Sequence, residues 1–235
     1  MLLKNYYFCN NFFVKFNCDS SGNCELWRIV GVMNGVDSNP VLKLVLSDNT
    51  KSAKWHSRNA NDWESSDIYN TLNNTYLNSL NSGVINDFVL NAQWRIGALS
   101  QGNGVLPSAH YTAEKATLSS ATYIGMINFT DYAYGTTGGT TTSRNECITG
   151  TYSTNLSDCY NNNYLYITGQ NQWTINKNSS GKSVIYITNA GIMQKQNPTS
   201  SYRYRPTVYL KSNVKINTES GDGSSGNPYE LIAGN

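Results

Sequence analysis

The sequence predicts a mixed α+β fold, and three observations lead to this prediction. Alternating apolar residues, typical of β-strands, occur near both ends of the chain, within residues 11–46 and 207–214. A helical stripe of apolar residues occupies residues 68–80. No linker rich in Pro, Ser or charge divides the 235 residues. We therefore expect one α+β domain over residues 1–235.

The first predicted unit is a small antiparallel meander over residues 11–46. Residues 11–16 and 25–33 have strand patterns, and Asn34-Gly35 is typical of a hairpin turn. Residues 41–46 form the returning strand and are apolar enough to be central in a sheet.

The clearest predicted helix follows Trp63. Ser65 or Ser66 can cap its N-terminus, and Asp67 is favourable in its first turn. The sequence Asn-Ser-Gly at residues 81–83 is expected to end it. The apolar stripe consists of Ile68, Leu72, Tyr76 and Leu80.

The middle of the chain has weaker signals. Extended segments are predicted at residues 84–90 and 93–97, and a second helix at residues 109–116. Loops are predicted at residues 129–143 and 147–159. Short strands are predicted at residues 123–128, 164–167 and 172–175, and a hairpin joins residues 183–188 to 192–193.

The last predicted strand covers residues 207–214. Val208, Leu210 and Val214 alternate with polar residues, which indicates one buried face, and Pro206 should mark the strand's first residue or an edge. The five tryptophans are expected in the core, because burying a Trp removes a large apolar area from water. The predicted shared core is Trp27, Ile29, Val30, Leu44, Leu72, Tyr76, Val208 and Leu210.

The composition excludes some classes of partner. Charged residues make up 14% of the chain, against about 25% in an average domain. The abundant Asn and Tyr suit secreted binding surfaces, although AT-rich codons would favour the same residues. The net charge of +2 comes without a basic stripe, so nucleic acid binding is not expected. No apolar run is long enough for a membrane helix, and residues 1–5 do not resemble a signal peptide. Any export or anchor segment is expected outside this sequence.

The five cysteines indicate an oxidising compartment. Cys18 and Cys24 bracket a turn sequence, and Cys147 and Cys159 bracket another polar loop. We predict a disulfide in each pair, with Cys9 free or paired elsewhere. Five unpaired thiols are the alternative.

No catalytic or metal site is predicted. His56 and His110 lie in no zinc-binding or nucleophile motif, and we expect them to be structural or surface residues. Carboxylate pairs for glycoside hydrolysis could be drawn from Glu64 with Asp67 or from residues 131 and 146, with no reason to prefer either. Asp222 lies in a turn and lacks other calcium ligands. No cofactor is expected.

A binding face is predicted between the hairpin and the last strand. The segment mixes Tyr, Arg and amide side chains, which are common at binding surfaces, and carries little apolar periodicity. An ordinary solvated loop is the alternative. The predicted ligand-binding residues are Gln194, Lys195, Gln196, Tyr202, Arg203 and Tyr204.

Several motifs occur in an order that covers nearly the whole chain. They lie at residues 13–18 and 24–32, 63–73, 124–132, 173–175, 205–210 and 221–229. Together they resemble extracellular bacterial domains found behind a prepilin-type anchor helix, which are related in fold to formylglycine-generating enzymes and C-type lectins. The resemblance implies a C-type-lectin-like domain with small antiparallel sheets, two helices, long irregular loops, adjacent termini and display on the cell surface.

The resemblance also limits the expected activity. No cysteine follows Cys159, so the formylglycine-generating reaction is not expected, and the calcium-binding motifs of sugar-binding C-type lectins are absent from the sequence. Our first hypothesis is a non-enzymatic, surface-displayed module that binds an extracellular protein or glycan as an adhesin or receptor-binding domain, and it could be a diversified variable protein. The alternatives are an enzyme of the formylglycine-generating fold and a structural pilin-like subunit. The oligomeric state is left open.

Overall fold

The structure is a computed structural model, and it describes residues 6–7, 12–100, 106–150 and 157–234. Within these residues the chain is mixed α+β, which confirms the predicted class. The strands are β1 Tyr6–Tyr7, β2 Phe13–Cys18, β3 Cys24–Met33, β4 Val41–Leu46, β5 Ser52–Lys54, β6 Ala92–Arg95, β7 Leu118–Thr122, β8 Gln172–Lys177, β9 Val184–Ile187, β10 Met193–Gln196, β11 Ser201–Arg203, β12 Thr207–Tyr209, β13 Lys215–Asn217 and β14 Tyr229–Ile232. The helices are α1 Asp67–Asn70, α2 Ser82–Asp87, α3 Pro107–Lys115, α4 Phe129–Tyr134, α5 Arg144–Gly150 and α6 Ser157–Tyr160. Cys9 lies outside the described residues.

The larger sheet has the order β12-β4-β3-β2-β14-β13, with β1 also paired to β3. Strands β2, β3 and β4 form the predicted antiparallel meander. The disulfide between Cys18 and Cys24 closes the β2–β3 connection. Strand β14 runs parallel to β2, so the segments near the two ends of the chain are neighbours in one sheet.

Strand β12 differs from the prediction in its surroundings. It pairs with β4 along one edge, while Thr207 and Gly125 exchange backbone hydrogen bonds on the other edge. Residues 204–210 are all buried, so the predicted single buried face is wrong: both faces of the strand are covered. Pro206 directly precedes the strand, at the position where its missing N–H disturbs no ladder.

The predicted first helix is confirmed. The Ser66 side chain accepts a hydrogen bond from the Tyr69 amide at 3.1 Å and caps α1. The helical path continues as a π-helical segment, Thr71–Tyr76, and a short 3₁₀ turn, Leu77–Ser79. The whole predicted stripe, Ile68, Leu72, Tyr76 and Leu80, is buried.

The region after this helix was predicted incorrectly. Residues 84–90 were expected to be extended, but α2 covers Ser82–Asp87. The first helical path ends at Ser79, as expected, but the Asn81 side chain accepts a hydrogen bond from the Gly83 amide at 3.0 Å and caps a new helix. Strand β6 and helix α3 agree with the predictions for residues 93–97 and 109–116.

The predicted loops in the second half contain helices. Helix α4 begins at Phe129 with a capping box, in which the side chains of Asn128 and Asp131 each accept a hydrogen bond from the other's backbone. Helices α5 and α6 carry Cys147 and Cys159, which form the predicted disulfide. The strands expected at residues 123–128 and 164–167 are absent from the described structure, and the described helices outnumber the two that the resemblance implied.

One hydrophobic core draws residues from both larger sheets and from α1, and it contains all eight predicted core residues. All five tryptophans are buried, as predicted. The five-stranded sheet has the order β10-β9-β8-β11-β5, and its first three strands include the hairpin predicted around residue 190; β6 and β7 form a separate two-stranded sheet. The five-stranded sheet supports the candidate site.

Candidate ligand-binding face

Three aromatic rings pack together on one side of the five-stranded sheet. Trp173 on β8 lies opposite Tyr186 on β9, and Tyr202 reaches the same side from β11. The ring centroids of Tyr202 lie 4.6 Å from Trp173 and 4.7 Å from Tyr186. Trp173 is fully buried, whereas the two tyrosines are half-buried. The buried tryptophan therefore supports the two tyrosine rings, which are partly exposed to solvent.

Two glutamines extend this surface along the edge strand. Gln194 on β10 is the register partner of Tyr186, so the two side chains lie on the same side of the sheet. Gln196 Nε2 donates a hydrogen bond to the Tyr202 hydroxyl at 3.1 Å. We name Tyr186, Tyr202, Gln194 and Gln196 the tyrosine face.

The hydroxyl of Tyr186 stays neutral at physiological pH. Burial, followed by the neighbouring Tyr202, raises the pKa of Tyr186 to about 12. A neutral hydroxyl both donates and accepts hydrogen bonds, as do the amide groups of the glutamines. The face thus combines apolar ring surface with uncharged polar groups.

A polar cavity of about 290 Å³ opens beside Tyr202. Its other side chains come from the sheet edge and from the loops at residues 169–171 and 189, namely Ser52, Gln170, Asn171, Asn189, Ser201 and Arg203. Arg203 donates to the Gln170 side chain at 3.3 Å and to the Thr50 carbonyl. These two bonds use two of the five guanidinium N–H groups and hold the side chain in place.

The six predicted ligand-binding residues separate into four groups. Gln194, Gln196 and Tyr202 lie on the tyrosine face, and Arg203 lines the adjacent cavity. Lys195 is exposed, but its position between the two glutamines places it on the opposite side of the strand.

Tyr204 was predicted to bind a ligand, which requires an exposed side chain, but it is buried. Only 8% of its surface is exposed, because the chain enters the core there on its way to β12. Tyr186 belongs to the face but was missed from the sequence. The sequence signal that could have identified Tyr186 was its position between two apolar residues, Ile185 and Ile187, on a short strand.

The loop beside the cavity is tightly held. Tyr166 donates to the Asn189 carbonyl at 2.5 Å, and its ring packs against Tyr160 with centroids 4.8 Å apart. The Asp158 carboxylate accepts hydrogen bonds from three consecutive amides, of Thr140, Thr141 and Thr142. These bonds, first that from Thr141, hold the pKa of Asp158 well below its ordinary value.

The two histidines are buried and do not line the polar cavity. His56 is buried, and its Nδ1 accepts a hydrogen bond from the Arg58 amide at 3.2 Å. His110 is also buried, and burial lowers its pKa to about 4, which keeps it neutral. Neither lines the polar cavity or the two other surface cavities, which lie at residues 212–234 and 25–51. Among the described residues there is no cluster of three His, Cys, Asp or Glu side chains that could hold a metal ion.

Comparisons with protein-family models, with curated proteins and with solved structures found no match for this chain.

Proposed function

We propose that the chain is a non-enzymatic ligand-binding module displayed outside the cell, with a C-type-lectin-like fold and the tyrosine face as its contact surface. The resemblance at residues 13–32 and 205–210 supports this fold assignment. The ligand is an extracellular protein or glycan, so the module acts as an adhesin or receptor-binding domain.

The observation that carries the proposal is the pair of half-buried tyrosines whose rings pack against each other and against buried Trp173. Packing among the three rings already restricts both tyrosines, so a ligand gains contact area without a large loss of side-chain entropy. Tyrosine is also enriched among residues that dominate binding energy. Trp173 fixes the orientation of the rings, which gives the surface a defined shape.

Two further observations support an extracellular location. The disulfides at Cys18–Cys24 and Cys147–Cys159 are stable in oxidising compartments. In the described part of the chain, no helix has the length and apolar character needed to cross a membrane.

The test is a binding measurement with matched tyrosine variants. Fluorescently labelled protein is applied to a glycan array and to immobilised mucin, and dissociation constants are measured for each positive probe. Tyr186→Ala and Tyr202→Ala should each weaken binding by about tenfold or more, which corresponds to about 1.4 kcal/mol. Tyr229→Ala is the control, because Tyr229 is also half-buried but lies in the other sheet.

The thermal midpoint of each variant separates loss of contact from loss of fold. A wild-type protein that binds no glycan and no mucin would contradict the proposal for this ligand class. Equal binding by wild type, Tyr186→Ala and Tyr202→Ala would show that the tyrosine face is not the contact surface.

A further inference from the structure

A buried amine and a buried carboxylate are in contact in the core. Neither residue belongs to the tyrosine face. Lys43 on β4 and Asp131 on α4 are each 1% exposed, and Lys43 Nζ lies 2.5 Å from Asp131 Oδ2. The rings of Trp94 and Tyr209 lie 5.5 Å and 5.3 Å from the same nitrogen. The two groups therefore share a site from which the surrounding core excludes water.

The capping box at the start of α4 fixes the carboxylate. The Asn128 amide donates to Asp131 Oδ2 at 2.7 Å, and the Asn128 side-chain oxygen accepts from Lys43 Nζ at 3.2 Å. The Asn128 side chain is itself held by the Arg95 carbonyl at 2.7 Å. A backbone amide aimed at the carboxylate oxygen can stabilise negative charge that develops there during attack on the carbon.

A third ionisable group supplies a neutral acid close by. Glu114 is completely buried, and its carboxyl group is hydrogen-bonded to the amide and the hydroxyl of Thr130, the neighbour of Asp131. Burial raises the pKa of Glu114 to about 8, and the charge of Asp131 contributes in the same direction. Arg95 also faces the cluster and has the opposite effect on Glu114. At neutral pH the cluster thus holds an ion pair between an ammonium group and a carboxylate, next to a protonated carboxylic acid.

We propose that Lys43 and Asp131 condense in the folded protein to form an amide cross-link between their side chains. The ion pair first transfers a proton from Lys43 to Asp131, which gives a neutral amine beside a carboxylic acid. The lone pair of Nζ forms a bond to Cγ of Asp131. The C–OH bond of the resulting tetrahedral carbon then breaks, and the hydroxyl leaves with a proton from nitrogen, carried through Glu114, as one molecule of water.

Two physical effects favour the condensation at this site. Holding the reactants in contact replaces a bimolecular encounter by an effectively unimolecular step. Forming the amide also removes two buried charges, whose desolvation is costly in a protein interior. Burial is the largest single effect and lowers the pKa of Lys43, but the charge and hydrogen bond of Asp131 together with the neighbouring Tyr209 raise this pKa overall. The ion pair therefore predominates, and the neutral pair is the minor species that reacts.

Intact mass spectrometry of the folded, purified protein after prolonged incubation, recorded under denaturing and fully reducing conditions, tests the cross-link. The expected mass is that of the chain less one water. A tryptic digest should contain a branched peptide that joins the segments carrying Lys43 and Asp131. A wild-type mass equal to that of the unmodified chain would overturn the proposal. Loss of ammonia instead of water would also overturn it, since that result identifies the Asn128 amide as the partner of Lys43.

The masses of single-residue variants show which side chains form the cross-link. Lys43→Met and Asp131→Ala should both keep the full mass. Lys15→Met is the matched control, because Lys15 forms an exposed ion pair with Glu230 at 3.1 Å and should not affect the loss of water. Glu114→Gln should slow the loss of water in a time course after synthesis, and an unchanged rate would refute its role as proton carrier.

Discussion

Glu114 makes the stability of this protein fall as the pH rises. Its carboxyl is fully buried, and its pKa rises from 4.5 to about 8, chiefly through burial. Between these values the folded protein keeps a proton that the unfolded chain releases. The associated stability is fully present below about pH 4.5 and is lost as the pH rises through about 8.

The magnitude follows from the size of the pKa shift. Each pH unit within the window changes the free energy of unfolding by up to about 1.4 kcal/mol. From about pH 5 to about pH 8 the Glu114 contribution should therefore fall by roughly 4 kcal/mol at most. Glu114→Gln removes the titration but retains a side-chain oxygen that can accept from the Thr130 amide. Its stability should therefore change less across the same range.

Denaturant unfolding at a series of pH values measures the difference directly. The free energy of unfolding of the wild type minus that of Glu114→Gln should decrease steadily as the pH is raised. Glu219→Gln, at an exposed position, is the control and should parallel the wild type. Parallel curves for the wild type and Glu114→Gln would show that the carboxyl is ionised or hydrated in the folded state, and would refute the reasoning.

Three further predictions concern the core, the tyrosine pair and the second disulfide. Leu72→Ala should cost about 2–5 kcal/mol in denaturant melts, because Leu72 is fully buried, and a loss below about 0.5 kcal/mol would contradict its packing. Tyr204→Ala should destabilise the fold by about 3 kcal/mol, whereas Tyr202→Ala should change the thermal midpoint little; similar midpoints would show that Tyr204 is not part of the core. Non-reducing peptide mapping should find Cys147 joined to Cys159, and free thiols at both positions would exclude this bond.

Local signals explain most of the elements that could be predicted. Ser66 before an apolar stripe indicated a capped helix, and Asn34-Gly35 indicated the β3–β4 connection, because both features depend on neighbouring residues. Helix α4 also had such a signal, since Asn128 and Asp131 have the spacing of a capping box. The Gly-Thr repeats that follow it at residues 135–142 favoured a loop and obscured the helix.

The candidate site depended on pairings that local patterns do not contain. Tyr202 meets Trp173 only because β11 lies beside β8, with Arg203 opposite Gln172. The burial of Tyr204 depends on the contacts of β12 with β4 and Gly125, which are distant in sequence. The composition of residues 194–204 therefore indicated the neighbourhood of the face, but not which side chains reach its surface.

The parallel pairing of β14 with β2 determines how the fold responds to tension. Val14 lies opposite Tyr229, and Lys15 lies opposite Glu230. A pulling force applied near residues 12 and 234 acts on the leading end of one strand and the trailing end of its parallel neighbour. The strands are then sheared along their length, so their hydrogen bonds and the Lys15–Glu230 ion pair bear the load together instead of breaking one after another. The fold should therefore resist extension through this pair of strands.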